Sequence, residues 1–216
     1  MLQRQAVGRD AAQHEGAIVI AVIDYKAGNL TSVMKALHAV GADALATSDP
    51  SVVMQAEKLV LPGVGHFSAT AFLEERGLKK AIEERVAAGI PFLGICVGLQ
   101  WLFEGSTEAP DTAGFKAFPG RCERFGDGLK VPHVGWNSIQ VKESRLLQGV
   151  ASGAFVYFTH SYRAPMIHAT VAVTEYDLPF TAAVERDNVV GVQFHPEKSG
   201  PVGLRILANF VRLQGC

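Results

Sequence analysis

The chain has 216 residues, 48% hydrophobic and 19% charged, with a formal net charge of −1 at pH 7. That length suits one domain with a sizeable core, and that balance describes a folded globule rather than a disordered chain. The near-neutral charge, with no basic stripe, argues against nucleic acid as a main partner, and no apolar run approaches the ~20 residues needed to span a bilayer.

Residues 1–16 are expected to form a flexible tail, because MLQRQAVGRDAAQHE is polar and lacks the apolar centre of a secretory signal. Residues 17–216 are expected to form the single domain. AIVIAVI (17–23) is a continuous β-branched run, the pattern of a strand covered on both faces. From Thr31 onward, Val33, Met34, Leu37 and Val40 recur at helical spacing and Gly41 marks a stop. A short strand is expected over Ala42–Ala46, and a third in KLVLPGVG (58–65), ending in a Pro/Gly loop. Residues 67–88 read as two helical pieces interrupted at Gly77. IPFLGI (90–95) is the next buried strand, and VGLQWLF (97–103) a helix entered abruptly. This alternation predicts an α/β fold: a mainly parallel twisted sheet flanked by helices.

The C-terminal half changes rhythm. WNSIQV (136–141), AFVYFTH (154–160), HATVAVTEY (168–176), FTAAVE (180–185) and NVVGVQFH (188–195) read as short, additional antiparallel strands. VGLRILANFVRL (202–213) closes the chain as an amphipathic helix. Three widely spaced cysteines, Cys96, Cys122 and Cys216, fit reduced thiols in the cytoplasm better than a disulfide framework. No cysteine or histidine spacing suggests a metal site, and no cofactor is expected.

Gly94-Ile95-Cys96-Val97-Gly98 lies between an expected strand and an expected helix. A tight strand-to-helix turn of this kind exposes a nucleophile above a sheet. Glycines let neighbouring backbone approach closely, and the N–H of Val97 would face an oxyanion formed when Cys96 attacks a carbonyl. A small structural cysteine in a tight turn is the alternative. A thiol needs a base, and GVQFHPEKS (191–199) offers His195 with Glu197 two residues on. Alternation along an extended segment, stiffened by Pro196, would bring Glu197 to one imidazole nitrogen and leave the other for Cys96. PGVG (62–65) ends a parallel strand on the same edge, so the N–H of Val64 or of Gly65 could be the second oxyanion donor.

PGVG, GICVGLQ and GVQFHPEKS occur in the order and at the spacing of the class I (triad) glutamine amidotransferases, which the chain resembles over roughly residues 17–214. The resemblance implies Cys96 as nucleophile, His195 as general base and acid, and Glu197 as orienting carboxylate. It implies an oxyanion hole from Val97 and the 63–65 loop, with Gln100, His160, Ser161 and Tyr162 around the glutamine. DYKAGNLTSV (24–33), VPHVGWN (131–137) and FTHSYR (158–163) further resemble the glutaminase subunits of imidazole glycerol phosphate synthases, of histidine biosynthesis. That likeness implies a heterodimer with a separate (βα)8-barrel cyclase subunit that consumes the ammonia. Asn29, His133, Trp136 and Lys198 are candidates for the partner-facing surface, with Trp136 the best single anchor. In the family the first loop usually reads D-Y-G-x-G-N. Lys26 replaces its first glycine here, which should disfavour positive φ at that position. The rival readings are another triad amidotransferase, of the anthranilate or aminodeoxychorismate type, and a catalytically silent binding subunit.

Overall fold

The computed structural model describes residues 19–126 and 128–215; the expected tail at 1–16 lies outside them. The strand expected from residue 17 is described as β1 (Val19–Ile23). Helix α1 (Leu30–Ala39) follows, its start capped by the Asn29 side chain and its buried face made by Val33, Ala36 and Leu37. Then come β2 (Asp43–Thr47), α2 (Pro50–Gln55) and β3 (Lys58–Gly63). The first two strand–helix crossovers run in opposite directions, because β1 lies between β2 and β3. Right-handed crossovers therefore carry α1 and α2 to opposite faces of the sheet.

A 3-10 turn at Phe67–Thr70, α3 (Ala71–Glu75) and α4 (Leu78–Ala87) occupy the expected helical stretch. Gly77 interrupts it as anticipated, with φ of 69°, a left-handed value that glycine adopts without a Cβ penalty. Strand β4 (Phe92–Cys96) runs directly into α5 (Val97–Trp101).

Four short strands were not legible in the sequence: β5 (Gly105–Ser106), β6 (Ala109–Ala113), β7 (Arg121–Arg124) and, later, β10 (Tyr162–Arg163). They form a separate small sheet in the order β10-β7-β5-β6. The remaining strands are β8 (His133–Val141), β9 (Ala154–His160), β11 (Thr170–Tyr176), β12 (Leu178–Arg186) and β13 (Val189–Val192), and α6 (Gly200–Arg212) packs back against α1.

The main sheet has nine strands in the order β2-β1-β3-β4-β13-β12-β11-β8-β9. Its first five are parallel and the rest antiparallel. The division expected from the two sequence rhythms is therefore present within one sheet. Every residue of β3, β4 and β13 is buried, which is why β4, β13 and the part of β3 after Lys58 read as apolar runs. Among the described residues no helix is long and apolar enough to cross a membrane.

Candidate active site

Three parallel strands end side by side. Gly63 of β3 pairs with Cys96 of β4, and Val192 of β13 pairs with Ile95. The carboxyl edge of a parallel sheet is where α/β proteins place their sites. Cys96 sits there with φ of 55° and ψ of −107°, a conformation costly for a residue with a side chain. It is 3% exposed. The turn needs its glycines for space: a Cβ on Gly94 would stand 2.5 Å from the Gly98 carbonyl oxygen.

His195 follows β13, and its Nδ1 lies 2.8 Å from Oε1 of Glu197, with each side chain only 1% exposed. The route differs from the extended alternation expected. His195 is extended, but Pro196–Lys198 coil into a 3-10 turn, and that turn brings the carboxylate onto the ring. Proline at the first position suits the turn because its φ is already fixed near the helical value.

Nε2 of His195 makes no hydrogen bond and is left for the thiol. Burial opposes a charged imidazole here, but the Cys96 sulfur and the Glu197 carboxylate more than offset it and push His195 up to about 10. The charged ring this favours faces the sulfur through Nε2, where it can steady a thiolate and protonate a leaving group.

A cavity of about 220 Å³ opens beside the sulfur, lined by Val64, Gly65, Cys96, Val97 and Gln100 on one side and by His160, Ser161 and Tyr162 on the other. All the expected oxyanion and substrate residues thus meet in one place. Gln100 donates from Nε2 to the Tyr162 carbonyl at 3.0 Å and to Oε1 of Gln193 at 3.2 Å. Three lining residues, Glu108, Pro132 and Thr159, escaped the sequence reading. Glu108, in the turn between β5 and β6, is the only carboxylate lining the cavity among the described residues, and one of its oxygens accepts from the Phe67 N–H at 2.8 Å. Thr159 stands behind the sulfur, its carbonyl 3.9 Å from Sγ. Glu108 could not be placed because the small sheet that carries it left no periodic signal.

The four surface candidates separate. Trp136 is 56% exposed and meets the Tyr157 ring edge-on at 6.1 Å, while the exposed Lys198 holds its ammonium 5.7 Å over that same ring. Val134 and Phe155 extend this apolar patch across β8 and β9. Asn29 is half-buried and its carboxamide is occupied as the cap of α1, accepting from the Ser32 N–H at 3.4 Å. His133 is not on the surface. It is 4% exposed and stacked on Tyr176 and Phe158, because β8 turns that side of the strand into the core.

His133 instead contacts His160 ring to ring at 3.2 Å, and His160 Nδ1 donates to the Tyr162 carbonyl at 2.8 Å. Burial pushes both histidines down, His133 to about 4 and His160 to about 3.

The surface patch is tied to the imidazole through the main chain. The His195 N–H donates to the Tyr157 carbonyl at 2.9 Å, and Ser199 Oγ accepts from the Tyr157 N–H while donating to the His195 carbonyl. Tyr157 and Ser199 had no distinguishing mark in the sequence. Lys26 also departs from expectation. It adopts φ of 64° despite its side chain, held by its N–H donating to Asp24 Oδ1 at 2.9 Å and by its ammonium over the Phe72 ring.

Residues 21–213 match the family described as glutamine amidotransferase class-I. The imidazole glycerol phosphate synthase subunit HisH of Methanothermobacter thermautotrophicus is 50% identical over 198 residues, 90% of this chain and 98% of that protein. The HisH subunit of Thermococcus kodakarensis is also 50% identical, over 90% of this chain and all of its own length. Among solved structures, one described as a glutamine amidotransferase superposes with a TM-score of 0.72 at 20% identity, over 90% of this chain and 97% of its own. PurLQS from Thermotoga maritima gives 0.70 at 17% identity, over 90% and 98%. These last two establish likeness of fold.

Proposed function

The chain belongs to the class-I glutamine amidotransferases, and we infer that within them it is the glutaminase subunit of an imidazole glycerol phosphate synthase, hydrolysing L-glutamine and passing the ammonia to a cyclase subunit. The observation that carries the chemistry is the meeting of Cys96, His195 and Glu197 at one sheet edge beside a cavity of amino-acid dimensions. The named relatives, at 50% identity over nearly their full lengths, support the assignment within the family.

Glutamine enters with its side-chain amide towards the sulfur, and the free oxygen of Glu108 is available for its α-ammonium group. Cys96 Sγ attacks the amide carbon, a C–S bond forms, and the carbonyl electron pair moves to oxygen. The Val97 N–H, together with an N–H of the Val64–Gly65 loop, receives that oxyanion. The C–N bond breaks as His195 Nε2 gives its proton to nitrogen, and ammonia leaves. His195 then takes a proton from water, whose oxygen attacks the thioester carbon. The C–S bond breaks, glutamate departs, and the thiolate–imidazolium pair is restored. Glu197 keeps the ring in the tautomer that presents Nε2 to the sulfur throughout.

The partner in this reading is a (βα)8-barrel cyclase, and the Val134–Trp136–Phe155–Tyr157 patch beside Lys198 is the surface offered to it. Such an exposed apolar patch on an otherwise ordinary surface suits a protein partner. A cytoplasmic location belongs to the same proposal, supported by the unpaired thiols of Cys96 and Cys122. The test is turnover of the purified chain with and without the cyclase and its nucleotide substrate, alongside Cys96→Ala. Glutamine hydrolysis should rise with the partner and vanish in Cys96→Ala, while cyclisation fed with free ammonia persists. Loss of both activities in Cys96→Ala would reduce Cys96 to a structural role.

A further inference from the structure

Gln193 is fully buried one residue past the end of β13, and the strand register explains what it meets. Val192 pairs with Ile95, so the next residue on β13 emerges beside the next residue on β4, which is Cys96. The main chain of Gln193 is fixed by its N–H donating to the Ala182 carbonyl at 2.8 Å. Its side chain lies between two groups of the active site: Nε2 is 3.6 Å from Cys96 Sγ, and Oε1 accepts from Gln100 Nε2 at 3.2 Å. The orientation of this amide is set by its neighbours. Gln100 presents an NH2 group, so the oxygen of Gln193 must face it and the Gln193 NH2 must face the sulfur.

We propose that Gln193 is a further catalytic residue, whose amide N–H holds the Cys96 thiolate while its carbonyl holds Gln100 on the substrate cavity; this rests on the reading of Cys96 as nucleophile. Besides His195, two polar neighbours of the sulfur divide its protonation states between them. A neutral thiol can donate to the Thr159 carbonyl, 3.9 Å away, whereas a thiolate can only accept. Gln193 supplies the donor for the charged form, and a hydrogen bond to an ionised partner is the stronger kind. The same donor receives the sulfur again when it leaves the thioester. Through Gln100, the amide that steadies the nucleophile also fixes a wall of the pocket, so its loss affects both turnover and substrate affinity.

The test compares the intact chain with Gln193→Met, which keeps the length and an apolar fill but has no donor. Alkylation of Cys96 by iodoacetamide is followed by mass spectrometry across pH. The curve for the variant is expected to move to higher pH by about one unit, the scale on which a single hydrogen bond biases an ionisation, with kcat for glutamine reduced ~10–100-fold. Coincident curves from a folded variant would overturn the role of Gln193. A wild-type chain whose Cys96 is not selectively alkylated would overturn the reading of Cys96 as nucleophile instead. Should Gln193→Met fail to fold, the wild-type chain still decides the matter: the 15N side-chain resonance of Gln193 should track the alkylation curve, and a resonance insensitive to pH would refute the contact.

Discussion

Gly98 of α5 and Leu61 of β3 approach so closely that a Cβ on Gly98 would stand 2.0 Å from the Leu61 carbonyl oxygen. That obstacle is main chain in a central strand and cannot swing aside. Gly98→Ala should therefore push α5, and with it Cys96, off the sheet edge. A loss of ~1–3 kcal/mol of stability is expected from the overpacking, with glutaminase activity falling further than stability alone explains. Urea unfolding and turnover of the purified variant check both.

Glu197→Gln removes a charge and keeps an oxygen at nearly the same place. Turnover should fall by ~10²–10⁴-fold, because the imidazolium loses its counter-charge and the tautomer its enforcement. There is also a stability signature. His195 is held above its ordinary value in the folded chain, so between pH 6.5 and about 10 the folded state keeps a proton that the unfolded state has released. That contribution is fully present below pH 6.5 and declines as pH rises through the folded value. In Glu197→Gln the decline should be smaller and end at lower pH, which urea midpoints measured from pH 6 to 10 would reveal.

The His133–His160 pair has the opposite sign. Both are held neutral by burial, with values of about 4 and about 3. As pH falls below 6.5, the unfolded chain binds protons at these positions that the folded chain refuses. Stability should drop by ~1.4 kcal/mol per pH unit for each such group. His133→Gln should flatten the acid limb of a urea-midpoint profile between pH 6.5 and 4. An unchanged limb would assign the acid sensitivity to other groups.

Trp136 is exposed, so its truncation should leave the fold unaffected. Trp136→Ala is expected to weaken binding to the cyclase by ~2 kcal/mol or more if the ring is the anchor of that surface. Calorimetric titration of the two subunits measures it, with the melting temperature of the free chain as control.

Lys26→Gly should be neutral or stabilising. A residue with a Cβ in left-handed conformation carries a penalty of ~1–2 kcal/mol, which glycine lacks, although the substitution forfeits the Phe72 contact and frees the unfolded chain. Denaturant midpoints of the two proteins decide the balance.

The residues that were readable share a cause. Strands β1, β3 and β4 are buried on both faces and appear as apolar runs, α1 shows its period and its cap, and Cys96 is marked by glycines that close packing demands. The small sheet carrying Glu108 was invisible because strands such as β5, two residues long, offer no periodicity. Gln193 sat in plain view within GVQFHPEKS, but its neighbour across the sheet depends on register, which a single sequence does not disclose. His133 was misassigned for a related reason: one residue along a strand separates core from surface, and Val134 beside it is 55% exposed.

The main-chain bond from His195 to Tyr157 makes this molecule a promising chassis for re-engineering. Anchorage of the ring to β9 uses the amide and carbonyl of residue 157 rather than its side chain, so the side chains displayed at 134, 136, 155 and 157 can be rewritten while the His195 ring keeps its mooring. Proline at 157 is the exception: it would erase the amide that Ser199 receives and loosen the ring without touching the triad.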